Sequence, residues 1–406
     1  MKKVLKTLIG ILFLLSVIFL FCACTEPDMP SETPITEAPQ TETLFLQVET
    51  EPPATEPPPE FGQAPAQSET VLTVDGVALA EDSFLQDGLF YLRPDGLAQA
   101  VGLTYTESIH GGAVHTCTAE LFGHTVEFST ASRFALDGHT TVDLGGTPVY
   151  DGASWYLPAE KLLRYFGFSV LDDPEAAAVY YTRYPTNDSI CEGKRVPVLM
   201  YHAVSDNCWG STELFVSPSV LDAQIAALLD NGYTLITFED FDRLENIEKP
   251  VMLTFDDGYD DNYDYLFPIL QKYQVKATVF VIANDLGKNH KLTEDEVREM
   301  DASGLVSIQS HTMSHEFLSN QNAEQLDYEL SQSKLVLARL TGKEPFVLCY
   351  PTGMYSGLSL EKTAQYYQFG LLMSSGRYVT GDDPYMIRRY YVPRGLSADG
   401  LLQKIR

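Results

Sequence analysis

Val251-Met-Leu-Thr-Phe-Asp256-Asp257-Gly258-Tyr259-Asp260-Asp261-Asn262 changes character halfway along. It begins as an apolar run, the pattern of a strand buried on both faces, and ends in carboxylates and a glycine. Two adjacent Asp at the end of a buried strand are costly, because like charges this close do not both ionise unless a cation or a hydrogen-bond network compensates. The stretch therefore predicts a metal site.

On either side, short apolar strands alternate with helical segments. Val196-Pro-Val-Leu-Met-Tyr201-His202 reads as a buried strand delivering a histidine at its end, and Ser217-Pro-Ser219 starts a helix to about Leu229, closed by Asn231-Gly232. Tyr233 to Phe238 reads as the next strand. After the Asp pair come a helix over about 266–273, the strand Ala277-Thr-Val-Phe-Val-Ile282, and a helix opened by the capping box Thr293-Glu-Asp-Glu296. This alternation predicts an α/β fold, a parallel sheet or barrel with helices outside. Chemistry in such folds sits at the C-terminal strand ends, where Asp256 and Asp257 fall.

A further strand, Val306-Ser-Ile-Gln309, leads to Ser310-His311-Thr-Met-Ser-His315. Histidines four apart can be aimed at one point by a helical turn or a compact loop. With one carboxylate they make a suitable site for zinc or another divalent transition metal.

Thr254-Phe-Asp-Asp-Gly258 and Ser310-His-Thr-Met-Ser-His315, in this order and separation, resemble the first two motifs of the NodB-type polysaccharide deacetylases, carbohydrate esterase family 4. Val198-Leu-Met-Tyr-His202 and Lys276-Ala-Thr-Val-Phe280 are similar to the branch that includes poly-N-acetylglucosamine deacetylases. The resemblance implies a distorted (β/α) barrel over 196–406 that hydrolyses N-acetyl groups of a glycan. It implies Asp257, His311 and His315 as metal ligands, zinc foremost with cobalt, nickel or manganese as alternatives, and Asp256 as general base.

The chain departs from the family pattern in two places. In the third motif, Leu348-Cys-Tyr-Pro-Thr-Gly353, Cys349 stands where an Arg is usual. The Thr352 N–H can still serve an oxyanion, since that role needs a positioned amide. Arg389 matches an Arg of the deacetylase branch and is the substitute for orienting Asp256, with Arg388 and Arg394 as rivals. The usual late histidine is also missing, because none follows His315. In a closed barrel the first strand lies beside the last, so His202 is the candidate general acid. Tyr259, Tyr263, Tyr350 and Tyr355 are candidates for sugar stacking.

The formal net charge of -29 argues against nucleic acid and suits a neutral ligand. Met1 to Cys24 reads as a lipoprotein-type signal: Lys2, Lys3 and Lys6 precede the run Leu8 to Phe21, and Ala23-Cys24 offers a lipidation site, hence an extracytoplasmic location as a membrane lipoprotein, with a retained anchor or simple secretion as the alternatives. Residues 25–70 hold ten prolines, ten acidic residues and no Lys or Arg, which predicts a disordered stalk.

Residues 71–184 read as a small α+β domain containing a repeat. Asp87-Gly-Leu-Phe-Tyr-Leu-Arg-Pro94 leads to Leu97-Ala-Gln-Ala-Val-Gly102, and Asp151-Gly-Ala-Ser-Trp-Tyr-Leu-Pro158 leads to Leu162-Leu-Arg-Tyr-Phe-Gly167. This doubled strand–helix–strand unit resembles the copper amine oxidase N-terminal-like domain, a spacer or wall-binding module. Its histidines, His110, His115, His124 and His139, lack ligand-like spacing. Of the mature cysteines Cys117, Cys191, Cys208 and Cys349, Cys191 and Cys208 form either a disulfide in an exported protein or two free thiols. Two rival functions stay open, a glycan-binding surface protein that has lost turnover and an O-acetyl esterase on the same fold.

Overall fold

All six residues of the strand Pro250–Phe255 are buried, because neighbours cover both of its faces. The neighbours belong to a ring of seven parallel strands: β1 (Val198–Tyr201), β2 (Pro250–Phe255), β3 (Ala277–Val281), β4 (Val306–Ser310), β5 (Val347–Cys349), β6 (Phe369–Ser375) and β7 (Ile387–Tyr391). The order runs β1-β7-β6-β5-β4-β3-β2, and β1 also pairs with β2, Tyr201 opposite Phe255, so the barrel closes. This computed structural model describes residues 62–109, 114–186 and 189–406.

Six helices cover the barrel: α1 (Pro218–Asp230), α2 (Phe267–Tyr273), α3 (Glu294–Ala302), α4 (Ala323–Thr341), α5 (Gly357–Tyr366) and α6 (Ala398–Ile405). Ser217 caps α1, which turns Leu221, Ile225 and Leu228 inward. Thr293 and Glu296 cap α3 reciprocally. Helix α4 has the same device in Asn322 and Gln325 and stops at Gly342, which is left-handed. The strand read over 233–238 shrinks to Thr234–Leu235. Its continuation is lost because Asp240 accepts the Thr237 N–H (3.0 Å) and winds the chain into a turn from Phe238. Among the described residues no helix is long and apolar enough to cross a membrane.

In the repeat, the strand Leu89–Leu92 feeds the helix Pro94–Val101, with Pro94 in its first turn and Gly102 left-handed at its end. The strand Trp155–Pro158 feeds the helix Ala159–Tyr165, and the two leading strands pair antiparallel, Leu157 opposite Leu92. Between the copies a five-stranded meander runs from Thr104 to Asp143. The strand Ala178–Arg183 then returns beside Val71–Val74.

One sequence expectation changes and one open alternative is decided. Ala66 and Gln67, placed in the disordered stalk, form a strand against Leu85 and Phe84, because strand pairing needs only free main-chain groups and is blind to a polar composition. The four cysteines among the described residues are free thiols. Cys191 and Cys208 are not bridged: the Cys191 carbonyl accepts from the Thr380 hydroxyl (2.5 Å), and Cys208 meets the Arg394 guanidinium. The stretch from Met1 to Phe61, with the Cys24 anchor and most of the stalk, lies outside the described residues, as does His110. His124 pairs with Asp137 (2.7 Å), as a surface histidine does, and His139 is exposed.

The segment that ends α4 and begins β5 carries the contacts to the repeat region. Arg339 makes two hydrogen bonds to Asp173 (2.6 and 2.8 Å), whose side chain is fully buried. Glu344 meets Ser169, its N–H donates to Thr182 (2.7 Å), and Tyr184 stacks on Phe346 at 4.8 Å. These residues precede β5, so they mark the N-terminal floor of the barrel. The Arg339 hydrogen bonds hold the Asp173 carboxyl below the usual carboxylate range. Arg339→Ala should therefore cost about 2 kcal/mol at neutral pH by leaving a buried carboxylate short of partners. A group with a depressed folded pKa contributes above its unfolded pKa and loses that contribution as pH falls through its folded one. The stability gap between wild type and variant should accordingly close as pH drops below the carboxylate range, read by denaturant unfolding at a series of pH values.

Candidate functional site

Parallel strands put all their C-terminal ends on one face, and Asp256, Asp257, His202, His311, His315 and Thr352 each follow one of those ends, while Arg389 lies within β7. After β2 the chain turns sharply: Asp257 and Gly258 are both left-handed, with φ of 74° and 61°. That turn splits the Asp pair, sending one carboxylate into the barrel and the other to its mouth.

Asp256 points inward and is buried. Arg389 of β7, completely buried, grips it with two hydrogen bonds of 2.7 Å, one to each oxygen. The guanidinium is itself fixed by the Thr254 hydroxyl (3.0 Å), the Leu372 carbonyl (2.9 Å) and the Cys349 thiol (3.2 Å). Burial alone would push the Asp256 pKa up; the charge and hydrogen bonds of Arg389 outweigh it and hold the carboxyl low. Cys349 touches both partners, with Sγ 3.6 Å from Asp256, and its small side chain leaves the space that the guanidinium fills. Burial pushes its thiol pKa up, so it stays neutral. Of the rivals, Arg388 is exposed and Arg394 sits on Cys208.

Asp257 faces His311 and His315, whose Nε2 atoms each lie 3.4 Å from its Oδ1. His311 Nδ1 is 2.8 Å from the Cys349 carbonyl, which can only accept, so Nδ1 carries a proton and Nε2, turned to Asp257, is the nitrogen a metal would take in place of a proton. The two histidines reach one point through a compact loop, with Thr312 and His315 left-handed. Buried Glu329 of α4 moulds that loop, accepting the N–H groups of Met313 (3.0 Å) and Ser314 (2.9 Å) and the Ser314 hydroxyl. Burial opposes ionisation of Asp257, but His311 overrides it and holds the carboxyl well below its usual range.

Donor spacings of 3.4 Å match the edge of a tetrahedron with arms of about 2.1 Å, so these three residues fit a divalent transition metal. Asp256, His311 and Cys349 also converge. That second set is a poor host, because the Arg389 guanidinium lies against both Asp256 and Cys349 and its positive charge opposes a cation there.

His202 is buried at the end of β1, its Nε2 3.9 Å from Asp256 Oδ2. Nδ1 has no hydrogen-bond partner among the described residues. Burial pushes its pKa down, against the pull of the two carboxylates. Its carbonyl accepts from Asn262 (3.0 Å), and the Asp261 carboxylate accepts the Val204 N–H (2.9 Å), so the β1 loop is pinned to the loop after β2. Thr352 is left-handed (φ 55°) in the exposed loop after β5, its hydroxyl turned back to the Pro351 carbonyl.

Of the four candidate stacking tyrosines, Tyr350 is fully buried and unable to meet a ligand, and Tyr263 donates to Glu299 (2.7 Å). Tyr355 is exposed. Tyr259 lies under Lys291, whose ammonium is 4.1 Å from the ring centroid and donates to the Asp257 carbonyl (2.8 Å). The sequence reading passed over Lys291, Glu329 and Asn262. Each acts on main-chain groups, and the residues they serve carry no matching pattern.

A family model described as "Polysaccharide deacetylase" matches residues 243–368. The "Putative polysaccharide deacetylase YxkH" of Bacillus subtilis (strain 168) is 34% identical over 211 residues, 50% of this chain and 73% of that protein. A "Poly-beta-1,6-N-acetyl-D-glucosamine N-deacetylase" of Staphylococcus aureus (strain MRSA252) is 25% identical over 210 residues, 47% of this chain and 70% of that protein. Among solved structures, the Streptococcus pyogenes deacetylase PplD in complex with acetate covers 53% of this chain and 99% of its own, with 28% identity and a TM-score of 0.50. The family model does not reach the repeat region.

Truncating one partner of a buried ion pair strands the other. Arg389→Met should cost about 3–5 kcal/mol in denaturant unfolding, and adding Asp256→Asn should recover part of it. A loss no larger than that of an exposed substitution would show that the pair does not hold this corner together.

Proposed function

The chain belongs to the polysaccharide deacetylase family, and we propose that this deacetylase removes N-acetyl groups from amino sugars of a cell-wall or extracellular glycan, using a metal held by Asp257, His311 and His315. The observation that carries the reading is the meeting of three metal donors beside a separately ionised carboxylate, Asp256. The substrate named for the Staphylococcus relative supports an N-acetylglucosamine polymer.

When bound, the metal, zinc foremost with cobalt, nickel or manganese as alternatives, polarises the acetyl carbonyl and lowers the pKa of a water. Asp256, oriented by Arg389, takes the proton of the attacking water at Oδ2. His202 Nε2, 3.9 Å away, accepts that proton and delivers it to the departing amine as the carbon–nitrogen bond breaks. The Thr352 N–H serves the oxyanion. Acetate and a free amino sugar result.

Loss of turnover as an alternative drew its support from Cys349 and the missing late histidine. Arg389 meets Asp256 from β7, and His202 stands beside it from β1, so neither departure leaves its position empty. The repeat region, bound to the barrel floor, takes no part in the chemistry and acts as a spacer. Cys24, as a lipid anchor, would keep the enzyme on the outer side of the membrane.

Asp256→Asn should lower acetate release from N-acetylglucosamine oligomers by about 10²–10⁴-fold, while metal affinity by chelator competition changes little. Unchanged release would remove Asp256 from the mechanism, and faster release from an O-acetylated sugar would favour the esterase. Glu329→Ala frees the His311–His315 loop and should weaken metal binding about 10–100-fold, as loss of outer support to ligands does.

A further inference from the structure

Trp209 lies in the loop after β1, seven residues past His202, and 36% of its surface is exposed although three rings pack on it. His290 lies parallel to it at 4.2 Å with 4° between planes; Tyr259 and Phe215 meet it edge-on at 4.9 and 5.0 Å. The indole is thus held in place by its neighbours while about a third of it faces solvent in the loop after β1.

The stack is also tied to the metal-ligand turn. His290 is left-handed (φ 58°), a conformation that non-glycine residues keep only where the surroundings enforce it. Its carbonyl accepts the Asp260 N–H (3.4 Å), the Leu292 N–H donates to the Gly258 carbonyl (3.0 Å), and Lys291 donates to the Asp257 carbonyl (2.8 Å). Three successive contacts thus fasten the 290–292 loop along residues 257–260. Asp260 lies 3.7 Å from the His290 ring and is itself part-exposed, a ready acceptor for hydroxyl groups at the platform edge.

We infer that Trp209, backed by His290, is a sugar-binding subsite that stacks a pyranose ring next to the residue whose acetyl group is removed. A pyranose offers an apolar C–H face and a hydroxyl rim, which suits an aromatic plane edged by a carboxylate. The inference rests on the proposed glycan substrate. It deepens that reading by committing to a chain of at least two sugars, the neighbour gripped by Trp209.

The chain has two tryptophans, and Trp155 is buried in the core of the repeat region, so a ligand-induced change in emission reports Trp209. Titration with N-acetylglucosamine tetramers, one β-1,4-linked and one β-1,6-linked, should shift or quench the emission. Trp209→Ala should weaken tetramer binding by calorimetry about tenfold, and Trp209→Phe, which keeps an aromatic ring among its three neighbours and a melting temperature near wild type, should restore most of it. On activity, the loss should appear in KM for the tetramer more than in kcat. Binding read by emission is independent of turnover, so a protein that binds the tetramers through Trp209 but releases no acetate would sink the deacetylase reading and leave the subsite standing. Silent emission with both tetramers at concentrations that saturate wild-type calorimetry, or equal affinity in wild type and Trp209→Ala, would overturn the subsite; so would no calorimetric binding of either tetramer.

Discussion

The two hydrogen bonds between Arg389 and Asp256 are the constraint on which the rest of the site depends. A carboxylate this deep stays ionised only with a full counter-charge and filled lone pairs, and Arg389 supplies both. That contact exists only because β7 closes onto β1 and brings the last strand beside the first. The pairing of β1 with β2, Tyr201 opposite Phe255, sets His202 next to Asp256. Because β7 lies beyond β1 in the ring, opening the barrel between β1 and β2 would take both Arg389 and His202 away from Asp256.

A division of labour within the Asp pair follows from one local feature. Left-handed φ at Asp257 and Gly258 rotates the second carboxylate away from the first, so repulsion between them is relieved by direction as well as by partners. Lys291 on the Asp257 carbonyl and Glu329 on the histidine loop hold the main chain, which lets side chains meet a metal without losing order at the moment of binding.

The barrel and the convergence of Asp257, His311 and His315 were legible in the sequence because each rests on a local pattern: apolar runs at regular spacing, Asp-Asp-Gly after one of them, and two histidines four apart after another. His202 and Arg389 were legible only through the topological argument that a barrel closes, and Arg388 or Arg394 would have served equally on composition alone. What could not be read acts across long separations on main-chain atoms, as Asn262 does on the His202 carbonyl and Glu329 on Met313 and Ser314. Tyr350 shows the opposite error. Proximity to a motif suggested a binding surface, whereas its ring fills the core. The Ala66–Gln67 strand was hidden because a polar, proline-bearing neighbourhood says nothing about main-chain pairing.

The repeat region grips the barrel at Arg339, Glu344 and Phe346, all on the floor below the strands. Tension arriving from the N-terminal side enters through Val71–Val74, crosses to the paired strand Ala178–Arg183, and passes into that floor. The seven strand ends that carry the chemistry lie off this load path. Force applied at Val71 would thus reach the barrel through ion pairs and a ring stack at one pole, away from the few-ångström distances between Asp256, His202 and Asp257 with its two histidines at the other.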